Sequence, residues 1–204
     1  MNIGEELVAA YLQHIVGCAF IQQNLYTIET QGEIDVVGLN LKTKSVYICE
    51  VAIHLTTGLQ YTFAKRPNNV NKLTEKFSRD IEYTRKYLPE YKAHYMLWSP
   101  VVKSRKGESE YDQVKHLEQV QANIFGKYGE TLELVINVEF SKCLQRLREE
   151  ARRTSASLKS PVMRMLQVEE QLLKHALRMP AKPSIERTDS GGLGPPLVAA
   201  DVKG

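Results

Sequence analysis

The chain has 204 residues, of which 43% are hydrophobic and 25% are charged, and its formal net charge is +3. This length predicts one domain plus an appendage, and the lack of an apolar opening segment or long apolar run argues against a signal peptide and a membrane span. The three cysteines, Cys18, Cys49 and Cys143, stand far apart in apolar surroundings. They predict reduced thiols in a cytoplasmic protein, without a disulfide framework or a zinc site.

The first part of the chain predicts one helix followed by three strands. Apolar residues recur at helical spacing over residues 4–16, and strand-forming residues dominate the next three segments. The polar stretch at 39–45 is typical of a hairpin connection, so the second and third strands should pair antiparallel. The predicted strands lie at 19–28, 32–40 and 45–55.

The rest of the domain predicts helices alternating with strands. After a loop at 56–67, Asn69 or Asn71 would cap a long amphipathic helix that ends at about Tyr87. The later predicted elements are a strand at 93–102, a helix at 112–125, a strand at 131–140 and a basic helix at 141–153. This order, α-β-β-β-α-β-α-β-α, predicts an α/β fold whose mixed central sheet is flanked by helices.

The C-terminal region differs in composition from the rest of the chain. Residues 1–153 predict the α/β domain, and residues 154–179 predict a linker with one further helix at 162–179. Residues 180–204 are rich in Pro, Gly, Ser and small side chains, so we expect no fixed structure there.

Basic side chains are concentrated in the middle and late parts of the chain. Residues 65–115 hold 12 basic and 7 acidic side chains, and residues 141–187 hold 11 basic and 5 acidic ones. Basic segments that follow a local acidic site suit an enzyme acting on a polyanion. The alternative is a set of solvated helix faces. The candidate nucleic-acid contacts are Lys65, Arg66, Lys72 and Lys76.

Two carboxylates stand alone inside runs of strand-forming apolar residues. Asp35 lies in GEIDVVG and Glu50 lies in YICEVAIH. A carboxylate in such a run is expensive to desolvate unless a basic partner or a metal ion offsets its charge. No Lys or Arg lies within either run, and the predicted hairpin would bring both residues together. The pattern therefore predicts a shared site for a hard cation such as Mg²⁺.

These residues resemble the PD-(D/E)XK nucleases. The resemblance rests on GEELVAAYL, QQN, GEIDVVG and CEV in this order, and it covers roughly residues 1–140. Within the superfamily, the chain is most similar to small members akin to Holliday-junction resolvases and restriction-type endonucleases. The resemblance implies a restriction-endonuclease-like mixed sheet.

The resemblance also implies Mg²⁺-dependent hydrolysis of phosphodiester bonds in DNA, with Mn²⁺ as a possible substitute for Mg²⁺. Asp35, Glu50 and Glu5 would be the catalytic and metal-binding acids, with Glu6 as the alternative to Glu5. Neither the form of the DNA nor the oligomeric state follows from the sequence, and a homodimer is one alternative.

One residue departs from the family pattern. The motif lysine belongs two residues after Glu50, where this chain has Ala52. Alternation along the predicted strand makes His54 the first candidate to replace it, and Lys72 on the following helix the second, with Lys76 on the same helix. The alternative hypothesis is a catalytically degenerate module that binds nucleic acid or a protein without cutting.

Overall fold

A five-stranded mixed sheet forms the centre of the computed structural model, which describes residues 2–27, 32–107 and 109–176. In chain order the strands are β1 (Phe20–Thr27), β2 (Gly32–Asn40), β3 (Ser45–Val51), β4 (Thr62–Phe63), β5 (Arg66–Pro67), β6 (Lys92–Ser99) and β7 (Leu132–Ile136). The sheet has the order β1-β2-β3-β6-β7, and β4 pairs with β5 in a separate small hairpin.

Helices cover both faces of this sheet. They are α1 (Ile3–Tyr11), α2 (Asn69–Tyr87), α3 (Gln113–Tyr128), α4 (Asn137–Arg153) and α5 (Pro161–Ala176). A π-helical turn, Leu12–Val16, extends α1 and ends at Gly17, whose φ of 79° is left-handed. One apolar core joins the sheet to α1, α4 and α5, and a second core joins it to α2 and α3.

The direction of the strands changes across the sheet. β1, β2 and β3 pair antiparallel, whereas β3, β6 and β7 run parallel. The predicted α/β class, the mixed sheet with flanking helices and the antiparallel pairing of β2 with β3 are confirmed. The predicted order of elements is not matched in every detail, because the β4–β5 hairpin intervenes between β3 and α2.

Three predicted strands extend too far toward their carboxyl ends. β3 ends at Val51 rather than residue 55, and β6 ends at Ser99 rather than residue 102. β7 ends at Ile136, and residues 137–140 are helical. Asn137 turns the chain there with a φ of 49°, and its side chain bonds both the N–H and the C=O of Val102.

The N-termini of two helices also differ from prediction. The residue that caps α2 is Asn68, not Asn69 or Asn71. The C-terminal helix begins at Pro161, and its predicted last residues, 177–179, lie outside the described residues together with the predicted tail, 180–204. Three apolar side chains of α5 enter the core beside α4 and α1, namely Val162, Met163 and Leu166.

The cysteines are buried and unpaired. Burial raises the pKa of Cys18 to about 11, so its thiol stays protonated at neutral pH. Within the described part of the chain, no helix is long and apolar enough to cross a membrane.

Candidate active site

The site lies where β2 and β3 stop pairing. Their ladder ends at the pair Val36 and Cys49. One residue further on, the Asp35 side chain replaces a backbone acceptor, because Asp35 Oδ2 accepts a hydrogen bond of 2.7 Å from the Val51 N–H. Glu50 precedes Val51 and is fully buried. The end of the ladder therefore places two carboxylates side by side.

A lysine from α2 lies between these carboxylates. Lys76 Nζ donates to Glu50 Oε2 and stands 3.7 Å from Asp35 Oδ1. Leu73, Phe77 and Ile81 are all fully buried and fix this face of α2 against the sheet. The packing of the helix thus delivers an ammonium group to the position between Asp35 and Glu50.

Two further charged residues of α2 complete the cluster. Arg79 Nη2 is 3.8 Å from Glu50 Oε1 and 3.4 Å from Asp80 Oδ1. Asp80 is fully buried, and the Arg79 and Lys76 side chains are largely buried. Three carboxylates thus share two cations, away from most of the solvent that would otherwise screen them.

The pKa values of Glu50 and Asp80 are both raised. Burial raises the pKa of Glu50 well above its ordinary value, and repulsion from Asp80 and Asp35 adds to that, against the opposing effect of Lys76. Burial also raises the pKa of Asp80 to about 6. Glu50 Oε1 and Asp80 Oδ2 are buried without a hydrogen-bond donor. Because the two side chains are within hydrogen-bonding reach, a proton on either one would satisfy both oxygens.

Lys76 is protonated in this environment. Burial acts to lower the pKa of Lys76, but the attraction of Glu50 and Asp35 outweighs it and raises the pKa. Tyr61 lies close enough to interact with the same three charges, and burial raises the pKa of its phenol. Lys76 can therefore donate hydrogen bonds and stabilise negative charge, but it is not a base.

Glu5 lies at the start of α1, on the helix that packs against the other face. Its Oε1 accepts a 2.7 Å hydrogen bond from Asn2 Nδ2. The start of α1 approaches the end of β3, since a Cβ at Gly4 would lie 2.2 Å from Ile53 Cγ1. Among the described residues, no hydrogen bond or ion pair joins Glu5 to Asp35 or Glu50. Glu6, the alternative, is half-buried on the same helix.

The candidates to replace the motif lysine lie in different places. His54 is three residues beyond the end of β3 and exposed, so it is not on the strand as predicted. Lys72 is half-exposed and pairs with Glu75 at 3.9 Å. Ala52 is buried in the apolar core beneath α2 and α3. Lys76 is the remaining candidate. Among the described residues, it is the candidate that contacts Asp35 and Glu50.

The remaining predicted basic contacts lie on the β4–β5 hairpin. Lys65 and Arg66 are exposed there, beside Phe63, which is 74% exposed. The turn of this hairpin places Ala64 and Lys65 in the left-handed region, with φ values of 48° and 64°. These residues therefore form a basic projection with an aromatic side chain.

Arg79 and Asp80 are site residues that the sequence did not predict. Asp80 lies within the apolar repeat of α2, formed by Leu73, Phe77, Ile81 and Thr84. An acid on the buried face of an amphipathic helix was the signal that could have identified it.

The donor groups of the site suit a hard cation. Asp35, Glu50 and Asp80 offer carboxylate oxygens, the ligands that Mg²⁺ prefers, and one oxygen each of Glu50 and Asp80 has no hydrogen-bond donor. Residues 2–27, 32–107 and 109–176 contain no group of three or more His, Cys, Asp or Glu side chains already arranged around a metal position.

Comparisons with known proteins do not identify a relative. No protein-family model, curated protein or solved structure matches this chain. The function is therefore inferred from the sheet, the sequence motif and the charged cluster.

Proposed function

We propose that the protein is a Mg²⁺-dependent nuclease of the PD-(D/E)XK type that hydrolyses phosphodiester bonds in DNA as an endonuclease. The observation that carries this proposal is the position of Lys76. Its ammonium group lies between Asp35 and Glu50, where it supplies the cation that the motif would place at residue 52. The lysine comes from α2 instead of β3.

The restriction-endonuclease-like identity of the fold is part of the proposal. Helix α1, the antiparallel strands β1 to β3 and the parallel crossover through α2 to β6 support it. So does the location of the acids on β2 and β3, in the order that the motif requires. We also propose that the protein is cytoplasmic, because its three cysteines are unpaired, as is usual in a reducing compartment.

Each residue of the site has a distinct role in this proposal. Asp35 and Glu50 would hold the Mg²⁺, whose chemistry is Lewis-acid polarisation of the phosphoryl group and acidification of water. Lys76 donates to a non-bridging phosphate oxygen and stabilises its developing charge. Arg79 and Asp80 hold Glu50 in place from α2. Glu5 remains a predicted third acid.

The basic surface near the site supports DNA as the substrate. Lys65 and Arg66 are exposed on the hairpin that leads into α2, and Lys72 is half-exposed one turn before Lys76. Lysine and arginine that neutralise phosphates release counterions, so binding should weaken steeply as salt rises. An affinity that does not change with salt would contradict this proposal.

The test is a cleavage assay with matched variants. Supercoiled, linear and branched DNA are incubated with Mg²⁺ or Mn²⁺, and with EDTA as the metal-free control. We expect cleavage by the wild type with metal, and none by Asp35→Asn or Glu50→Gln. Cleavage by Asp35→Asn at the wild-type rate would exclude the site, because that variant retains the shape of the side chain but not its charge.

A second function is favoured by one observation. Lys76 and Arg79 already offset much of the carboxylate charge, so the cluster does not require a metal for its stability. A catalytically degenerate module that binds DNA or a protein would have the same feature. Calorimetric titration with Mn²⁺ separates the two: equal heats for wild type and Asp35→Asn, with no cleavage, would favour the binding module.

A further inference from the structure

A polar cavity, separate from the charged cluster, opens at the carboxyl ends of the parallel strands β3 and β6. Its volume is about 290 Å³. The segments that follow β3 and β6 form two walls, and the first turns of α2 and α3 form the others. We call it the Lys103/Arg105 pocket after its two cationic residues; His116, Gln113, Asn69 and Gln60 also line it.

The pocket is electropositive. Lys103 and Arg105 line it, and no Asp or Glu does so among the described residues. Lys103 Nζ donates to the Thr56 carbonyl at 2.6 Å, which leaves two of its three protons available. The Arg105 guanidinium is exposed and makes no hydrogen bond or ion pair with the described residues. An anion would therefore find unused donors here.

Hydrogen bonds fix the walls of the pocket. Asn69 Oδ1 accepts from the Tyr61 N–H at 2.6 Å, and its Nδ2 donates to the Leu59 carbonyl at 2.9 Å. These bonds orient the amide, so the Nδ2 group that lies 3.2 Å from His116 Nδ1 is a donor to that nitrogen. The proton of a neutral His116 ring then resides on Nε2. Gln113 similarly joins Thr57 to the Lys103 N–H.

The pocket is connected to the charged cluster by α2. Asn69 and Lys76 are seven residues apart on that helix, or about 10 Å along its axis at 1.5 Å per residue. Tyr61 bridges the two places: its N–H bonds Asn69, and its phenol interacts with Lys76. The pocket and Lys76 are therefore close enough to contact phosphates within a few nucleotides of one another on one strand.

We propose that the Lys103/Arg105 pocket binds a backbone phosphate of the DNA, within a few nucleotides of the phosphodiester that contacts Lys76. This inference rests on the proposed function. It assigns the pocket to positioning the strand and not to the chemistry, because Arg105 and Lys103 do not contact Asp35 or Glu50. A phosphate is the anion that a strand crossing the cluster would present at this spacing.

The first experiment measures binding without cleavage. Labelled DNA is titrated by fluorescence anisotropy in EDTA with wild type, Arg105→Gln and the control Lys106→Gln. Lys106 is exposed in the same segment but does not line the pocket. We expect Arg105→Gln to bind about tenfold more weakly and to lower the salt slope by about one. Equal affinities for the two variants would overturn the proposal.

The second experiment locates the phosphate. A set of DNA substrates carries one neutral methylphosphonate at successive positions along the cleaved strand. We expect one substitution, within a few nucleotides of the cut, to weaken DNA binding by the wild type but not by Arg105→Gln, because the two changes remove the same contact. A uniform loss along the strand, equal in both proteins, would contradict a single pocket.

Failure of the pocket and failure of the nuclease function give different results. DNA binding and cleavage that both survive in Arg105→Gln would remove the pocket and retain the function. If the wild type binds no DNA, the nuclease proposal fails. The amide signals of Thr57 and Gln113 are then followed by NMR during titration with inorganic phosphate. Shifts that Arg105→Gln abolishes would retain an anion pocket; their absence would overturn it.

Discussion

The two faces of the central sheet differ in what they bury. The face beneath α1, α4 and α5 is filled by apolar side chains such as Leu12, Trp98, Leu147 and Met163. The face beneath α2 and α3 has an apolar core of its own, but at its edge it also buries Asp35, Glu50, Lys76, Arg79 and Asp80. Both apolar cores pack against the strands of the same sheet.

This difference predicts that residues of one face mainly determine stability and that residues at the edge of the other mainly determine function. Apolar residues of similar volume often replace a buried ion cluster without loss of stability, so the α1–α4–α5 face shows how the sheet would be covered if stability alone mattered. The charged edge carries a desolvation cost that its ion pairs only partly offset. We therefore expect changes at the charged edge to affect chemistry, and changes on the apolar face to affect folding.

The largest effect should come from Lys76→Met. The change removes the ammonium group between Asp35 and Glu50 but keeps most of the apolar stem. Loss of a charge-stabilising group of this kind should lower the cleavage rate by about 10²–10⁴-fold. The measurement is a single-turnover cleavage assay on protein shown to be folded by circular dichroism.

Lys72→Met is the matched control for that change. Lys72 lies on the same helix, but it is half-exposed and pairs only with Glu75 among the described residues. It should cut at close to the wild-type rate under saturating DNA. Lys76→Met with wild-type activity, or equal losses in both variants, would show that the buried ammonium group has no special role.

The opposite face is tested by Leu147→Ala. Leu147 is fully buried in the core formed by α1, α4 and α5. Removing its side-chain methyl groups leaves a cavity, so the free energy of unfolding should fall by about 2–5 kcal/mol in urea denaturation. Cleavage per folded molecule should not change. Gln145→Ala, on the exposed side of α4, should shift stability by less than about 0.5 kcal/mol.

The pH dependence of stability in Asp80→Asn tests how much the ionised Asp80 carboxylate destabilises the folded protein. The pKa of Asp80 is about 6 in the folded protein, above the ordinary value of 3.8. The folded state therefore binds more protons than the unfolded state between these values, and Asp80 lowers stability as pH rises through that window. The variant should therefore be more stable than wild type at pH 7, and this gain should shrink as the pH is lowered toward 4.

Thermal or urea unfolding in EDTA at several pH values measures this gain. Glu82→Gln is the control, because Glu82 is exposed on the same helix. A gain of the same size at pH 4 and pH 7 would show that packing, and not ionisation of Asp80, is responsible. If Asp80→Asn is more stable but also cuts poorly, the Asp80 carboxylate lowers stability and is needed for cleavage.

The sequence predicted the parts of the site that depend on neighbouring strands. Alternation and a short polar turn were enough to place Asp35 near Glu50, because the hairpin is local. The sequence also identified Lys76, both as a contact for DNA and, after His54 and beside Lys72, as a candidate to replace the motif lysine. Its position between the carboxylates depends on how Leu73, Phe77 and Ile81 pack on the sheet, and no local pattern encodes that rotation.

Strand ends and turns account for the other differences. Apolar alternation continues past Ile136, so the pattern does not show that Asn137 turns the chain into α4. Likewise, Ala52 and Ile53 continue the pattern of β3 after its pairing has ended. This is why His54, on the same face as Glu50 by alternation, lies exposed beyond the strand.

The smallest effect should come from His54→Ala. The sequence alone predicts a loss of about 10²–10⁴-fold, because it makes His54 the replacement for the motif lysine. We propose instead that Lys76 takes this role, because it lies between Asp35 and Glu50, and His54 makes no hydrogen bond or ion pair with the described residues. We therefore expect cleavage within about twofold of wild type between about pH 5.5 and about pH 8. If the cleavage rate of His54→Ala no longer declines at low pH whereas that of the wild type does, His54 takes part in the chemistry. Lys76 would then be a purely structural partner of Glu50.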